Sequence, residues 1–501
     1  MPFLRSVRHL KWAGLLVLAF IAAGALGSSG RAEAAGLSFS IVYSSDAESF
    51  DISLALDLNE NPVLAFHDRS ESAIKVIHCN DPACAGGDES TTTHAVTGDV
   101  IRPSVDVGSA GNPVISYTWR YGLNVMACND PNCAGDDESI ENIAPSPFPA
   151  WYDNTLKLDA ADNPWVAATL VANDHGVTFY ARELYHCSNP TCSAGVSSYS
   201  LEQSQSAYGD SNIALALTQA GNAVVSYQAT STYDLKVVRC GNPSCSAGNT
   251  ISFPDTMGDV GAGAALAIDI TGNPVIAHHA FGSSQLRVVH CNDPSCAGGD
   301  EAISIPETGY PTAIALDSLG RPVISYGGLT IGPNVLHCGD SDCATNNVLV
   351  PLDYDLQSDS GPMELSASGE PVFAYTTVSD PPSEIRLLRC TDPSCSADTD
   401  GDVCDDVREM QQTSGSEMAG GGRNAKSPYD YFNPTGDRKN RIDDILAVID
   451  QYYVDEGNSG YNPDTDRTLL GPDAWDTGPP NGLQRVDDIL NSVKQYFHDC
   501  A

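Results

Sequence analysis

Seven cysteine pairs recur along the chain with one internal spacing, C-x4-C: Cys79/Cys84, Cys128/Cys133, Cys187/Cys192, Cys240/Cys245, Cys291/Cys296, Cys338/Cys343 and Cys390/Cys395. Successive first cysteines lie 49, 59, 53, 51, 47 and 52 residues apart. A repeat of this length, too short to bury a core alone, must stack on its neighbours. Six of the seven pairs enclose a proline, so each reads as a disulfide closed across a tight turn rather than half of a zinc site. A second landmark lies upstream of each pair, a turn such as Gly111-Asn112-Pro113-Val114 or Gly272-Asn273-Pro274-Val275 between two short apolar runs. One unit therefore reads as strand a (264–269), turn, strand b (275–278), loop, strand c (286–291), cysteine turn and strand d (302–305), a four-stranded antiparallel blade.

The two ends of the array define its topology. The seventh unit lacks strand d, whereas a lone strand-like run over 37–43 precedes the first. If that run completes the last blade, seven blades close into a ring with no open sheet edge. The expected fold is mainly β, a seven-bladed β-propeller over 35–397; an open solenoid would leave the lone run unexplained.

Arg5, Arg8 and Lys11 precede an apolar stretch over 12–26, followed by Ala32-Glu33-Ala34. This has the form of a secretory signal peptide over 1–34. The apolar stretch is shorter than the roughly 20 residues that span a bilayer, and no second one follows, so the mature chain is expected to be secreted, to lack a transmembrane segment and to carry its cysteines as disulfides. With 65 acidic against 25 basic residues and a net charge of −40, bulk attraction to nucleic acid or to an anionic membrane is excluded.

In a four-stranded meander the b-to-c loops and d-to-a crossings emerge on one face, the a-to-b and cysteine turns on the other. The first face carries His67, Asp68, Arg69, Trp119, Arg120, Tyr121, Trp151, Tyr152, Tyr208, Tyr233, His279, Phe281 and Tyr310. Aromatics beside polar groups suit a glycan or an extracellular protein ligand; packing between blades is the competing role for each of them. Four histidines, His78, His186, His290 and His337, directly precede a first cysteine, but Ala127, Arg239 and Arg389 fill that place elsewhere. That substitution pattern fits structural repetition better than a metal ring. No S-x-D-x-G-x-T-W repeat of the sialidase kind occurs, and acids are too abundant to nominate a catalytic pair. The reading is a non-enzymatic binding protein, with a polysaccharide-degrading enzyme (glycoside hydrolase or lyase) or a structural matrix protein as alternatives.

From Asp398 the composition changes. Asp398, Asp400, Asp402, Asp406 and Glu409 occupy positions 1, 3, 5, 9 and 12 of a calcium loop over 398–409, with the Cys404 carbonyl at 7. Val403 stands at position 6, where glycine ordinarily permits the turn. A polar, Gly-rich linker spans 410–428. Beyond it, Arg441-Ile442-Asp443-Asp444-Ile445-Leu446 is repeated as Arg485-Val486-Asp487-Asp488-Ile489-Leu490, each opening an amphipathic helix. Two loop-helix copies over 429–501 resemble a dockerin-type domain, whose pattern is a pair of EF-hand-like calcium loops, each followed by a helix. The resemblance implies Ca2+ binding and docking to a cohesin-like receptor through the helix faces; a merely structural helix pair is the alternative. In the first copy Asn433, Thr435 and Asp437 fall at positions 1, 3 and 5, but Arg438 and Arg441 fall at 6 and 9. In the second, Thr477 and Pro479 fall at 1 and 3, with Asn481 and Gly482 at 5 and 6, so calcium binding is expected to be lost. A bridge between the remaining cysteines, Cys404 and Cys500, would tie the acidic loop to the C-terminal helix.

Overall fold

The structure is a computed structural model. It describes residues 37–45, 51–96, 100–119, 122–135, 137–145, 150–174, 177–204, 212–327, 333–352, 358–359, 361–377, 383–390, 392–393, 395, 434, 440–469 and 477–495. Four strands in sequential order make each of the first six blades, as in blade 5: Ala262–Ile268, Pro274–Ala280, Gln285–His290 and Ala302–Thr308. Blade 7 takes its first three positions from Met363–Leu365 with Ser358–Asp359, Pro371–Thr377 and Ser383–Cys390, and its fourth from Leu37–Ser45. The N-terminal strand runs antiparallel to Ser383–Cys390, from Leu37 opposite Cys390 to Ser45 opposite Ser383. The first strand of every blade neighbours that of the next, ending with Met363–Leu365 against Ile52–Leu56. The chain is therefore a seven-bladed β-propeller closed by its own N-terminal strand.

The blades are held by a core between each adjacent pair. On the innermost strands, residues one, three and five places before the a-to-b turn face the preceding blade: Ile52, Leu54 and Leu56 pack with Val372, Ala374 and Ile385 of blade 7. The alternate residues face the following blade, as Ala55 does toward Val105 and Ile115. This period of two is what a strand buried on both sides requires. One break was not legible in the sequence. The innermost strand of blade 7 is split around Gly361, where a Cβ would stand 1.7 Å from the Ala374 carbonyl oxygen.

The face opposite the b-to-c loops is built from repeated turns. In all seven blades the residue before the turn donates its N–H four places ahead, as Asp269 does to Asn273 at 2.9 Å. The third turn residue is left-handed: Gly in five blades, Glu60 (φ 65) and Asp162 (φ 60) in two. Those two exceptions carry side chains that reach the preceding blade, Glu60 to the Ala367 N–H at 2.8 Å and Asp162 to the Ser109 N–H at 2.9 Å.

All seven cysteine pairs are disulfides: Cys79–Cys84, Cys128–Cys133, Cys187–Cys192, Cys240–Cys245, Cys291–Cys296, Cys338–Cys343 and Cys390–Cys395. In each the second cysteine is left-handed, with φ between 52 and 57. The turns stand at hairpin tips, yet the bridges do not lie open to solvent. Cys192, Cys343 and Cys395, like Cys84, Cys133, Cys245 and Cys296, are buried and extend the core between blades outward to the turn face. The disulfides therefore close their own turns and also pack the blade ends.

Three of the four histidines before the first cysteines are braces. His78, His186 and His290 reach Asp57, Asp159 and Asp269 of their own turns at 3.0, 3.3 and 3.2 Å. The other ring nitrogens of His78 and His290 meet Asn132 and Asp342 in the next blade's cysteine turn. In blade 6 the equivalent aspartate, Asp317, is taken at 2.7 Å by Arg321. His337 is left with Nε2 buried and without a hydrogen-bond partner among the described residues, and burial pushes its pKa down to about 4.

In the C-terminal region, α1 (Ile442–Asp450) and α2 (Val486–Lys494) pack on each other. Each is capped alike, Asp444 accepting the Arg441 N–H at 2.8 Å and Asp488 the Arg485 N–H at 2.6 Å.

Two outcomes follow. Replacing Cys240 and Cys245 together by Ser should lower unfolding free energy by about 2 kcal/mol, the chain-entropy value for so short a loop, measured by denaturant titration. His337 titrates lower in the folded than in the unfolded chain, so its stability contribution is complete above about pH 6.5 and lost as pH falls toward 4, by about 3 kcal/mol. His337→Gln should flatten the stability profile across that window relative to the parent chain.

Candidate functional site

Aligning the seven innermost strands on the turn residue shows what surrounds the propeller axis. Two places before the turn stand Ala55, Asp106, Lys157, Ala216, Ala267, Ala315 and Glu364; four places before it, Ser53, Ser104, Thr155, Ala214, Ala265, Ala313 and Pro362; six places before it, Asp51, Arg102, Asp153, Asn212, Gly263 and Pro311. An axial cavity of about 690 Å3 is lined by these innermost strands from all seven blades.

Small side chains at the middle level have a structural task. An innermost strand has a free edge toward the axis, and the Ser53 and Ser104 hydroxyls accept the Val105 and Leu156 N–H groups of the following blade, each at 3.0 Å. The Thr155 hydroxyl donates to the Ile213 carbonyl at 2.7 Å. At the deepest level, Lys157 of blade 3 and Glu364 of blade 7 face one another across the axis, with Nζ and Oε1 3.8 Å apart. Glu364 raises the Lys157 pKa, and burial raises that of Glu364. Asp106 is held by the Leu158 N–H at 2.9 Å.

The mouth of the cavity lies on the face of the b-to-c loops. Arg102 sits there in a left-handed conformation, φ 48, which a non-glycine residue adopts only when its surroundings impose it. Its carbonyl accepts from Asn154 Nδ2 at 2.7 Å, and Asn154 is in turn hydrogen-bonded to the Ser116 hydroxyl. Its guanidinium lies 3.1 Å from Asp153 Oδ2 and donates to Asn212 Oδ1 at 2.6 Å. Asn212 Nδ2 donates onward to the Tyr310 hydroxyl at 3.4 Å. The Tyr310 ring lies where only a glycine fits: a Cβ on Gly263 would fall 2.3 Å from it.

Of the residues selected from sequence, His279, Phe281 and Tyr310 come together. The His279 ring lies 5.2 Å from Phe281, edge-on, and 5.1 Å from Tyr310. His279 is buried and pinned through Nδ1 to the Gly309 carbonyl at 2.7 Å, whereas Phe281 is 50% exposed. His67 and Asp68 are buried. Asp68 caps its own turn through Ser70 and Glu71 and accepts the Tyr43 hydroxyl from the closing strand. Arg69 is exposed, Trp119 packs half-buried against the blade 1–2 core, and Tyr233 forms a left-handed turn residue, φ 60. Trp151 and Tyr152 pair through their backbones with Val171 and Leu170; their side chains, and Arg120, Tyr121 and Tyr208 altogether, lie outside the described residues. Sequence reasoning missed Arg102, Asp153, Asn212, Lys157 and Glu364. For Lys157 and Glu364 the signal was a charged residue at a strand position that four other blades fill with alanine; the level of Arg102, Asp153 and Asn212 has no common residue to depart from.

None of the described cysteines lines the axial cavity. Groups of three metal-capable residues among the described residues are Cys79/Cys84/Glu89, Cys128/Cys133/Glu138 and Cys291/Cys296/Glu301. Their sulfurs are spent in disulfides and offer no thiolate, so these do not fit a metal. The same holds for Cys187–Cys192, Cys240–Cys245, Cys338–Cys343 and Cys390–Cys395, each bridged and buried, so that Cys192, Cys343 and Cys395 are structural residues and not ligands.

Asp398, Asp400, Asp402, Cys404, Asp406, Glu409 and Cys500 lie outside the described residues, as do Asn433, Thr435 and Asp437. In the second loop-helix copy the residues present do not fit calcium. Both Asp488 oxygens accept backbone N–H groups, from Arg467 at 2.8 Å and Arg485 at 2.6 Å. Buried Asp466 gathers the N–H groups of Asn481, Gly482 and Leu483 at 3.1, 2.8 and 3.1 Å, and the Tyr461 hydroxyl at 2.7 Å. A carboxylate thus organises peptide donors where an EF-hand would gather oxygens round a cation. The helices leave matching apolar rows exposed, Ile442, Leu446 and Ile449 on α1 and Val486, Leu490 and Val493 on α2.

No family model and no curated protein matches the chain. A crystal structure of a protein assigned as a gluconolactonase is similar at a TM-score of 0.31 and 14% identity, covering 71% of this chain and 93% of that one. Among the described residues no helix is long and apolar enough to cross a membrane.

Arg102 separates strain from bonding. Arg102→Ala keeps the left-handed backbone and loses the mouth network, whereas Arg102→Gly loses only the network. The Gly variant should therefore be more stable than the Ala variant by about 1 kcal/mol, read from denaturant midpoints.

Proposed function

We propose that the protein is a secreted, non-enzymatic binding protein that recognises a glycan at the mouth of the axial cavity. One observation carries this reading: Tyr310 joins an aromatic group, His279 and Phe281, to the polar network of Arg102, Asp153 and Asn212 at one opening. A half-exposed ring beside fixed donors and acceptors suits stacking on a sugar and bonding its hydroxyls. Arg102 engages Asp153, so the mouth offers a fixed donor–acceptor surface. Disulfides in every blade suit an oxidising compartment.

The tail serves attachment. The exposed rows on α1 and α2 support docking to a cohesin-like receptor, as the dockerin resemblance implies. Any dependence on Ca2+ then rests on the loop over 398–409, because Asp488 and Asp466 are saturated by peptide donors.

A glycan array probed with the mature chain tests the mouth. Saturable binding should weaken about five- to thirtyfold in Phe281→Ala, a ring contact of about 1 to 2 kcal/mol. Silence across the array, or binding untouched by Phe281→Ala and Tyr310→Ala, would contradict the reading.

A further inference from the structure

We propose that the axial cavity seats the terminal residue of the glycan as a single uncharged sugar ring, with two adjacent hydroxyls bridging Lys157 and Glu364. This rests on the glycan reading of the mouth and adds which part of the ligand enters and what holds it.

The floor of the cavity carries the argument. Lys157 and Glu364 stand at a level where four blades place alanine. Their charged atoms are 3.8 Å apart, beyond hydrogen-bonding distance. Their side chains are 40% and 36% exposed, although both line an axial cavity, so what they face is the lumen. A diol fits this pair without rearrangement: the ammonium donates to one hydroxyl oxygen, and the neighbouring hydroxyl donates to the carboxylate. Both bonds are charge-assisted, which makes them the strong contacts of the site.

The walls and the charge select the ring. Above the floor, Ala214, Ala265 and Ala313 stand beside hydroxyls already bonded to the adjoining strands. This leaves width where bulkier residues would fill the axis. The cavity, about 690 Å3, falls within the range of small-ligand sites. Three lining carboxylates, Asp51, Asp153 and Glu364, outnumber Arg102 and Lys157, in a chain of net charge −40. That field opposes uronic acids and sulfated sugars and leaves a neutral polyol as the matching class.

The test uses saturation-transfer NMR on the mature protein with free methyl hexopyranosides, their 3- and 4-deoxy analogues and a methyl glucuronide. At least one neutral hexoside should bind and the glucuronide should not. Loss of either hydroxyl of the bridging pair should weaken binding about ten- to hundredfold, as expected for a bond to a charged group. Glu364→Gln and Lys157→Met should do the same at unchanged melting temperature. Should either variant fail to fold, the deoxy series on the parent chain decides alone. Hexoside binding that survives both variants, or survives removal of each hydroxyl, overturns the proposal. Array binding without any hexoside binding overturns it while the mouth reading stands. Hexoside binding lost on the floor variants with a silent array supports the cavity site and removes the mouth reading, and silence in both removes both.

Discussion

Everything in this propeller depends on one antiparallel pairing, that of Leu37–Ser45 with Ser383–Cys390. A seven-bladed ring is a chain of sheets, each needing a neighbour on either side of its core. Without the N-terminal strand, blade 7 would end on the open edge of Ser383–Cys390. The closing strand does more than fill that edge. Tyr43 reaches the blade 1 turn at Asp68 and packs on Phe66, with ring centroids 4.8 Å apart. Ser40 donates to the Ala83 carbonyl in the blade 1 cysteine turn at 2.9 Å. It therefore ties blade 7 to blade 1 at both faces.

Closure has two consequences of opposite kind. On the disulfide face it makes seven near-identical turns meet their neighbours, and the braces vary in residue but not in role: His–Asp in blades 1, 3 and 5, Arg321–Asp317 in blade 6, and Arg389 reaching Glu60 and Glu370 between blades 7 and 1. Along the axis it converges seven innermost strands, and identical residues there would give a featureless tube. The departures from the repeat, Asp106, Lys157 and Glu364 at one level and Asp51, Arg102, Asp153 and Asn212 at another, make the axis chemically distinct. Keeping the turns constant while varying the axis is how a repeat scaffold acquires a site.

This division explains what the sequence disclosed. Blade number, strand order and the strand-sharing closure were legible because the cysteine pairs and the turns impose a period that survives substitution. The burial of the bridges was less so: the C-x4-C spacing marked all seven pairs as turn disulfides, Cys338–Cys343 without a proline among them, but that Cys343 packs in the core between blades needed the fold to show it. The braces were legible in part: four histidines at one repeat position pointed to structure, but their aspartate partners lie some 20 residues upstream and needed the fold to join them. The axial residues were not legible, because a single lysine or glutamate in an a strand has no meaning until seven a strands are superposed on their turns. Loop aromatics drew attention for their type, yet Trp119 packs into the blade core and Tyr233 forms a turn. Among the described loop residues, the group around Tyr310 connects to the mouth. In the tail, the helices followed from their period, whereas the saturation of Asp488 by backbone donors depends on Arg467, outside the repeated motif.

The central claim is that closure of the ring creates a sugar-accepting cavity on its axis. The most direct measurement is a crystal structure of the mature protein grown with a neutral oligosaccharide. The account expects seven blades closed by Leu37–Ser45, with the terminal sugar between Lys157 and Glu364 and the following residues passing Arg102, Asn212 and Tyr310. Sugar bound on the outer blades with the axis left to solvent, or an N-terminal strand detached from Ser383–Cys390, would contradict it.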